Sequence, residues 1–359
     1  AASATGLGAD CLPAELFALR GETRADALAL AQRLSNFVAQ STATVPLRDL
    51  AAAAWHTGDG AVQCSFVAAD MATLSRHLAT LLRGAEGAGI HYRPDTAAGK
   101  VAYLFSGQGS QYPGMLRELF VYFPALHRVL NAGREYQDIV FPPTAYDEAA
   151  QRQQRLRLTD TRAAQPALAM VEMAAFGWLT SFGLRPDMAA GHSFGELAAL
   201  ASAGAFDTAT LIRLARARAD AMLAAAGADH GLMVAVALGA PRLQELLAAV
   251  PGGPPGVVLA NHNSPVQTVI SGPTTDIEAA CAQLTANAVA WKRLDTACAF
   301  HSQVIARAEA LLAAELATID IGPLKWPVYA NVSALPHVDD PAQIRASLAR
   351  HAVSPVRFV

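Results

Sequence analysis

Cysteine is scarce in this 359-residue chain, and the four that occur (Cys11, Cys64, Cys281, Cys298) show no CxxC spacing. That pattern argues against a structural zinc site and fits a reducing compartment. Neither sign of charge dominates: 27 Lys and Arg stand against 30 Asp and Glu, a formal net charge of −3. A nucleic-acid binder would normally carry a basic excess, so none is expected as a partner. No apolar run approaches the ~20 residues of a membrane-spanning helix; residues 169–184 come nearest, and Glu172 interrupts them. No basic-then-apolar leader opens the chain. The expectation is a cytoplasmic protein with no membrane association and no metal. The chain starts Ala1-Ala2-Ser3-Ala4 without Met and ends on the apolar Pro355–Val359, which reads as a piece of a longer or processed polypeptide.

What is abundant is alanine, within a 53% hydrophobic composition that is too apolar for disorder and long enough for two or three packed units. Residues 1–93 read as a small α/β unit. It has an apolar run at 15–19, a helical period from Thr23 to Val38, a second helix at 46–55, a strand at 61–68 and a helix at 72–82. A loop-rich stretch at 84–99 follows as a boundary. The next unit opens on Val101–Phe105, a short continuous apolar run of the buried-strand type. Helices are predicted at 114–131, 163–182, 195–203 and 207–226, with a strand at 188–191. Alternating strands and helices point to a parallel sheet covered on both faces. Residues 230–295 carry the order β-α-β-β-α-β of a ferredoxin-like insert. A helix at 303–317, a strand at 327–331 and a helix at 341–350 return to the larger unit.

The segment with chemical content is Gly191-His192-Ser193-Phe194-Gly195, a G-x-S-x-G sequence between a strand and a helix. Two glycines permit a tight turn that lifts the serine hydroxyl clear of the sheet, beside the positive end of the next helix. The plainer alternative is a glycine-rich turn with a capping serine. A serine hydroxyl needs a base. His301, in Cys298-Ala299-Phe300-His301-Ser302, lies at a turn from which it could reach Ser193, whereas His192 should point away from the nucleophile. A GxGxxG nucleotide loop at 107–112 fails, because Tyr112 stands where the third glycine is needed.

Taken together, Phe105–Gln111, Gly191–Glu196, Asn261–Pro265 with Ser271-Gly272, Ala299–Ser302 and Pro327–Val332 resemble the malonyl-CoA:acyl-carrier-protein transacylase family. More narrowly, they resemble the acyltransferase domain of a type I polyketide synthase, with iterative synthases of enediyne type nearer than modular ones. The resemblance runs from about residue 100 to Val359, and residues 1–95 resemble the linker between ketosynthase and acyltransferase. It implies an α/β fold with three parts: that linker domain at 1–95, an α/β-hydrolase-like large subdomain with a parallel sheet at 100–228 and 296–359, and a ferredoxin-like small subdomain at 229–295.

The resemblance makes Ser193 the acyl-accepting nucleophile and His301 its base, with the backbone N–H groups of Gln108 and Phe194 as oxyanion hole. Arg218 takes the carboxylate of the extender unit, with Phe300 and His192 also at the substrate. Arg218 and Arg216, two apart on a helix, cannot share a face. His351 stands where the family has a glutamine whose main-chain carbonyl orients the base, so the exchange is tolerable if only the carbonyl is used. The family's last helix and strand would follow Val359. Ala299-Phe300-His301 goes with malonyl rather than methylmalonyl units, since the phenylalanine fills the space of an α-methyl; Cys298 replaces the pattern's usual leading His.

No tightly bound cofactor is implied. Malonyl-CoA is the substrate, and the partners are a phosphopantetheinyl acyl carrier protein and the ketosynthase and other domains of one megasynthase. Arg152, Arg155 and Arg157 are a candidate carrier patch, although a solvated cluster explains them as well. Two other readings stand. A serine hydrolase such as a thioesterase would need a triad acid, with Asp229, Asp276 and Asp295 available, and would leave Arg218 unexplained. An inactive scaffold would not need Ser193, His301 and Arg218 together.

Overall fold

The computed structural model describes residues 12–41, 45–85, 87–95, 99–249 and 254–359. The chain divides into two compact units, Ala1–Gly99 and Lys100–Val359.

In the first unit, the elements are β1 (Glu15–Gly21), α1 (Arg24–Gln40), α2 (Leu47–Thr57), β2 (Ala61–Ala68), α3 (Met71–Leu82) and β3 (Ile90–Tyr92). The sheet is antiparallel in the order β1-β2-β3. Alternation along β1 and β2 places Phe17 opposite Phe66, and their rings stack at 5.3 Å. Leu30, Leu34, Leu74, Leu78 and Leu81 cover that face from the helices. Helix α1 starts where Thr23 and Asp26 form a reciprocal capping box.

The second unit begins with β4 (Ala102–Phe105), then three short helices, α4 (Arg117–Tyr122), α5 (His127–Ala132) and α6 (Gln137–Val140). The single helix expected over 114–131 is broken because Pro124 cannot donate a backbone hydrogen bond and opens a 3₁₀ turn instead. Helix α7 (Glu148–Thr159) has only Leu158 buried. With no apolar stripe, it offers no helical period to detect. It starts on Asp147, whose side chain accepts the Ala150 N–H. Arg152, Arg155 and Arg157 are exposed on it.

Helix α8 (Thr161–Ser181), strand β5 (Met188–Gly191), α9 (Gly195–Ala203) and α10 (Thr208–Ala225) form the heart of this unit. Strand β5 lies between β4 and β10 (Val328–Tyr329), parallel to both. Helix α9 is buried along its whole length, as its run of Ala and Leu requires.

A second sheet is built from β6 (Leu232–Val236), β7 (Val258–Ser264), β8 (Gln267–Gly272) and β9 (Trp291–Arg293), with α11 (Ala240–Ala248) and α12 (Thr274–Ala286) between strands. Val234, Val236, Leu243, Ile270, Ile277 and Leu284 make its own core. The chain then runs through α13 (Ala308–Leu316), β10 and α14 (Pro341–His351) to β11 (Val356–Arg357). The sheet order is β11-β7-β8-β6-β9, with β11 parallel to β7. Strand β11 has only two residues, so no alternation marks it in the sequence. Among the described residues, no helix is long and apolar enough to cross a membrane.

Candidate active site

The carboxyl end of β5 turns into α9 over His192, Ser193 and Phe194. Ser193 sits in the left-handed region at φ 50°, a conformation that costs a non-glycine residue about 1–3 kcal/mol. The flanking glycines are obligatory for spatial reasons. A Cβ on Gly191 would collide with the backbone of Gly195, and one on Gly195 with the carbonyl of Phe105. The turn therefore presents the Ser193 hydroxyl at the N-terminus of α9, whose dipole favours negative charge.

His301 Nε2 lies 2.8 Å from Ser193 Oγ. Nδ1 of the same ring donates to the main-chain carbonyls of His351 (3.1 Å) and Ser354 (3.0 Å). Carbonyls only accept, so the proton is on Nδ1 and Nε2 is left as the acceptor for the serine hydroxyl. The His351 carbonyl ends α14 and that of Ser354 lies in the turn before β11, so the short last strand helps to aim the base. His301 is itself left-handed, at φ 59°. The His351 ring stacks on it with centroids 5.5 Å apart, and burial pushes the His351 pKa well below the usual imidazole range.

Burial, and secondarily the Arg218 charge, pushes the His301 pKa down from 6.5 to about 3. The base is therefore neutral and ready at neutral pH without prior deprotonation. Because the folded value is depressed, the unfolded chain takes up more protons below pH 6.5. This histidine's share of stability is complete above that value and is lost as pH falls toward about 3. In single-turnover acylation, the rate should show no titration near 6.5. Its acid limb should lie lower, and Arg218→Ala should move that limb upward. A limb centred at 6.5 in the wild type would contradict this electrostatic picture.

Arg218 on α10 turns inward and is 1% exposed. Arg216 turns outward and pairs with Asp220 at 2.8 Å. The Arg218 Nη2 is 3.4 Å from Ser193 Oγ, while its Nε has no hydrogen-bond partner among the described residues. Among the described residues it makes no ion pair. Burial lowers its pKa to about 10, opposed by the charge of Glu196, so it remains a cation at neutral pH. A buried guanidinium without a counter-ion is costly, and the cavity it faces is where an anion would relieve that cost.

That cavity, of about 200 Å³, is lined by Gln108, His192, Ser193, Arg218, Phe300 and His301 together with Gln165, Asn261 and Asn263. Of the eight catalytic, oxyanion-hole, substrate and histidine-orienting residues named from sequence, all but Phe194 and His351 line it. Phe194, fully buried, is the N-cap residue of α9, and His351 supplies its carbonyl from behind the base. The backbone N–H groups of Gln108 and Phe194 have no acceptor among the described residues. The Gln108 side chain is held by Thr161 (3.1 Å) and Gln165 (3.2 Å), which leaves its main chain as the group available to a ligand. The His192 ring donates from Nε2 to Asn263 Oδ1 at 2.8 Å, so it lines the cavity without bonding the nucleophile. Cys298 is buried, and burial pushes its thiol up to about 12, too high for a competing thiolate.

Sequence reasoning missed the groups that hold these parts. Ser106 Oγ donates to Glu172 at 2.6 Å and anchors the glycine-rich loop from within α8; burial pushes that carboxyl up to about 8. Asn331 accepts the Ser193 N–H; in the sequence it is one position of the Pro327–Val332 segment. Of the candidate triad acids, Asp229 bonds Gly231 and Thr274 and Asp276 bonds Gly256. Carbonyls, not a carboxylate, take the His301 Nδ1 proton.

Residues 102–359 match the model of the acyl transferase domain family. The malonyl CoA-acyl carrier protein transacylase of Bacillus subtilis is 35% identical over 263 residues, 72% of this chain and 80% of that protein. The phenolphthiocerol synthesis polyketide synthase type I Pks15/1 of Mycobacterium marinum is 36% identical over 241 residues, 67% of this chain but 11% of that much longer protein. In fold, the chain is similar to the acyl transferase domain of SpnD, solved in complex with 2-(pent-4-yn-1-yl)malonyl. The TM-score is 0.76 and the identity 23%, covering 96% of this chain and 80% of that one. A serine on a strained elbow, a neutral histidine against it, an unpaired buried arginine and these likenesses converge, and the chain belongs to the acyl transferase domain family.

Proposed function

We propose that this protein moves a malonyl unit from malonyl-CoA, through an ester on Ser193, to the phosphopantetheine thiol of an acyl carrier protein in polyketide biosynthesis. The observation that carries the reading is the buried, unpaired Arg218 guanidinium 3.4 Å from a hydroxyl that His301 already contacts at 2.8 Å. A planar guanidinium accepts a carboxylate through two parallel hydrogen bonds. Malonyl carries that carboxylate on the far side of the carbonyl that Ser193 would attack.

His301 Nε2 takes the Ser193 proton as Oγ attacks the thioester carbon. The oxyanion is held by the N–H groups of Gln108 and Phe194; losing one such donor typically costs about 3 kcal/mol. The C–S bond breaks, His301 returns the proton to the leaving CoA sulfur, and malonyl-serine remains with its carboxylate on Arg218. The carrier thiol then attacks the ester, His301 takes the thiol proton, and the proton returns to Ser193 Oγ as the malonyl thioester leaves. The carbonyls of His351 and Ser354 keep the ring in the required tautomer throughout, which is why a histidine can stand at 351. His192, fixed by Asn263, shapes the acyl cavity. Phe300 fills the room that an α-methyl would need, so malonyl should outcompete methylmalonyl by about 10- to 200-fold.

Several features support the finer divisions. The order β9-β6-β8-β7, with crossing helices α11 and α12, supports a ferredoxin-like small subdomain at 229–295. Strands β4, β5 and β10 support an α/β-hydrolase-like large subdomain at 100–228 and 296–359. Residues 1–95 take the place of a ketosynthase–acyltransferase linker, with the ketosynthase and other domains of a cytoplasmic megasynthase as partners.

The test is acceptor choice. Malonyl-enzyme isolated free of CoA should discharge onto a holo carrier protein faster than it hydrolyses. Hydrolysis as the faster route would favour a thioesterase instead.

A further inference from the structure

The strained elbow is held from behind by a buried chain of hydrogen bonds. Asn331 Oδ1 accepts the Ser193 N–H at 2.7 Å, and Asn331 Nδ2 donates to the Gly191 carbonyl at 2.7 Å. One amide thus spans the turn, bonding it on both sides of His192. The Asn331 main-chain N–H donates in turn to Glu196 Oε2 at 2.7 Å. The other oxygen, Oε1, accepts from His337 Nε2 at 2.9 Å. Asn331 and Glu196 are 2% and 0% exposed. His351 Nδ1 stands 3.6 Å from Glu196 Oε2, beyond hydrogen-bonding reach.

From this arrangement we infer that Asn331, anchored by Glu196, is the positioning residue for the nucleophile, a role that rests on Ser193 being the acyl acceptor. The amide does two things. It stabilises the left-handed backbone at Ser193, which nothing in the residue's own preference favours. It also occupies the Ser193 N–H, so the oxyanion must be met by Gln108 and Phe194 alone. Glu196 belongs to the first turn of α9 and Asn331 follows β10. The carboxylate therefore ties the helix that carries the nucleophile to the strand end that supplies its clamp, so the elbow and its support cannot move independently. Neither side chain reaches the cavity, so neither contacts substrate.

The test separates positioning from binding. In Asn331→Ala, the single-turnover acylation rate with malonyl-CoA should fall about a hundredfold, the scale of a small misplacement of a reacting group. Malonyl-CoA affinity, read by calorimetry in the Ser193→Ala background with and without Asn331→Ala, should be unchanged. Glu196→Gln keeps an acceptor for Asn331 and should retain acylation within a few-fold, whereas Glu196→Ala should resemble Asn331→Ala. An Asn331→Ala enzyme that acylates at the wild-type rate, or that loses affinity and rate equally, would overturn the inference. So would a Glu196→Gln loss as large as that of Glu196→Ala, because charge rather than hydrogen bonding would then be the operative property. If Asn331→Ala does not fold, the Glu196 pair decides alone. Absence of any adduct on the wild type would instead refute the nucleophile assignment, leaving a distinct signature.

Discussion

His301→Ala should acylate about 10⁴- to 10⁶-fold more slowly than the wild type, and Ser193→Ala should form no malonyl adduct at all. The size follows from how the two groups share one step. Without the imidazole, the hydroxyl proton has no acceptor within reach. The Nδ1 side of the ring is committed to the His351 and Ser354 carbonyls, and among the described residues no second base contacts Ser193 Oγ. Turnover of malonyl from CoA to carrier should fall by a similar factor in either variant. The double variant should be no worse than the single ones, because residues that act as a unit are not additive. A quench-flow measurement of adduct formation reads both effects. Cys298 cannot substitute, with its thiol pushed up to about 12.

Arg218→Ala should reverse acyl preference. The guanidinium is buried and makes no ion pair among the described residues, so malonyl supplies a counter-ion and acetyl does not. Removing one partner of a buried, hydrogen-bonded charge pair costs about 2–5 kcal/mol, which corresponds to a loss of about 30- to 5,000-fold in kcat/KM for malonyl-CoA. Acetyl-CoA should lose little or improve, since its methyl no longer leaves a cation unpaired in a cavity of about 200 Å³. Arg218→Lys should recover part of the malonyl preference, a point charge replacing a planar fork. Equal losses for malonyl and acetyl would mean that Arg218 supports the fold and does not read the carboxylate.

Several features of the site were legible in the sequence because the chemistry forces them. The two elbow glycines mark a turn in which a Cβ has no room, and the Ala- and Leu-rich run after them suits a buried helix. The inward turn of Arg218 was less so. Two arginines two apart must point differently, but only packing decides that Arg216 meets Asp220 while Arg218 meets the nucleophile. The supporting groups were not legible. Ser354 acts through a carbonyl that every residue has, and β11 is two residues long. Glu196 looks like an ordinary first-turn acid on α9 until both its oxygens are seen to be used. Helix α7 carries no apolar stripe, and Pro124 divides a stretch whose apolar residues otherwise suit one helix. Local pattern locates the reacting atoms; contacts between residues 50 to 141 positions apart determine how they are held.

Peptide mapping of the wild-type protein after brief exposure to malonyl-CoA tests the account at its root. The malonyl group should be found as an ester on Ser193 and should disappear on addition of holo carrier protein. Malonyl recovered on another side chain, or an unmodified chain under conditions in which the carrier is nonetheless loaded, would contradict it.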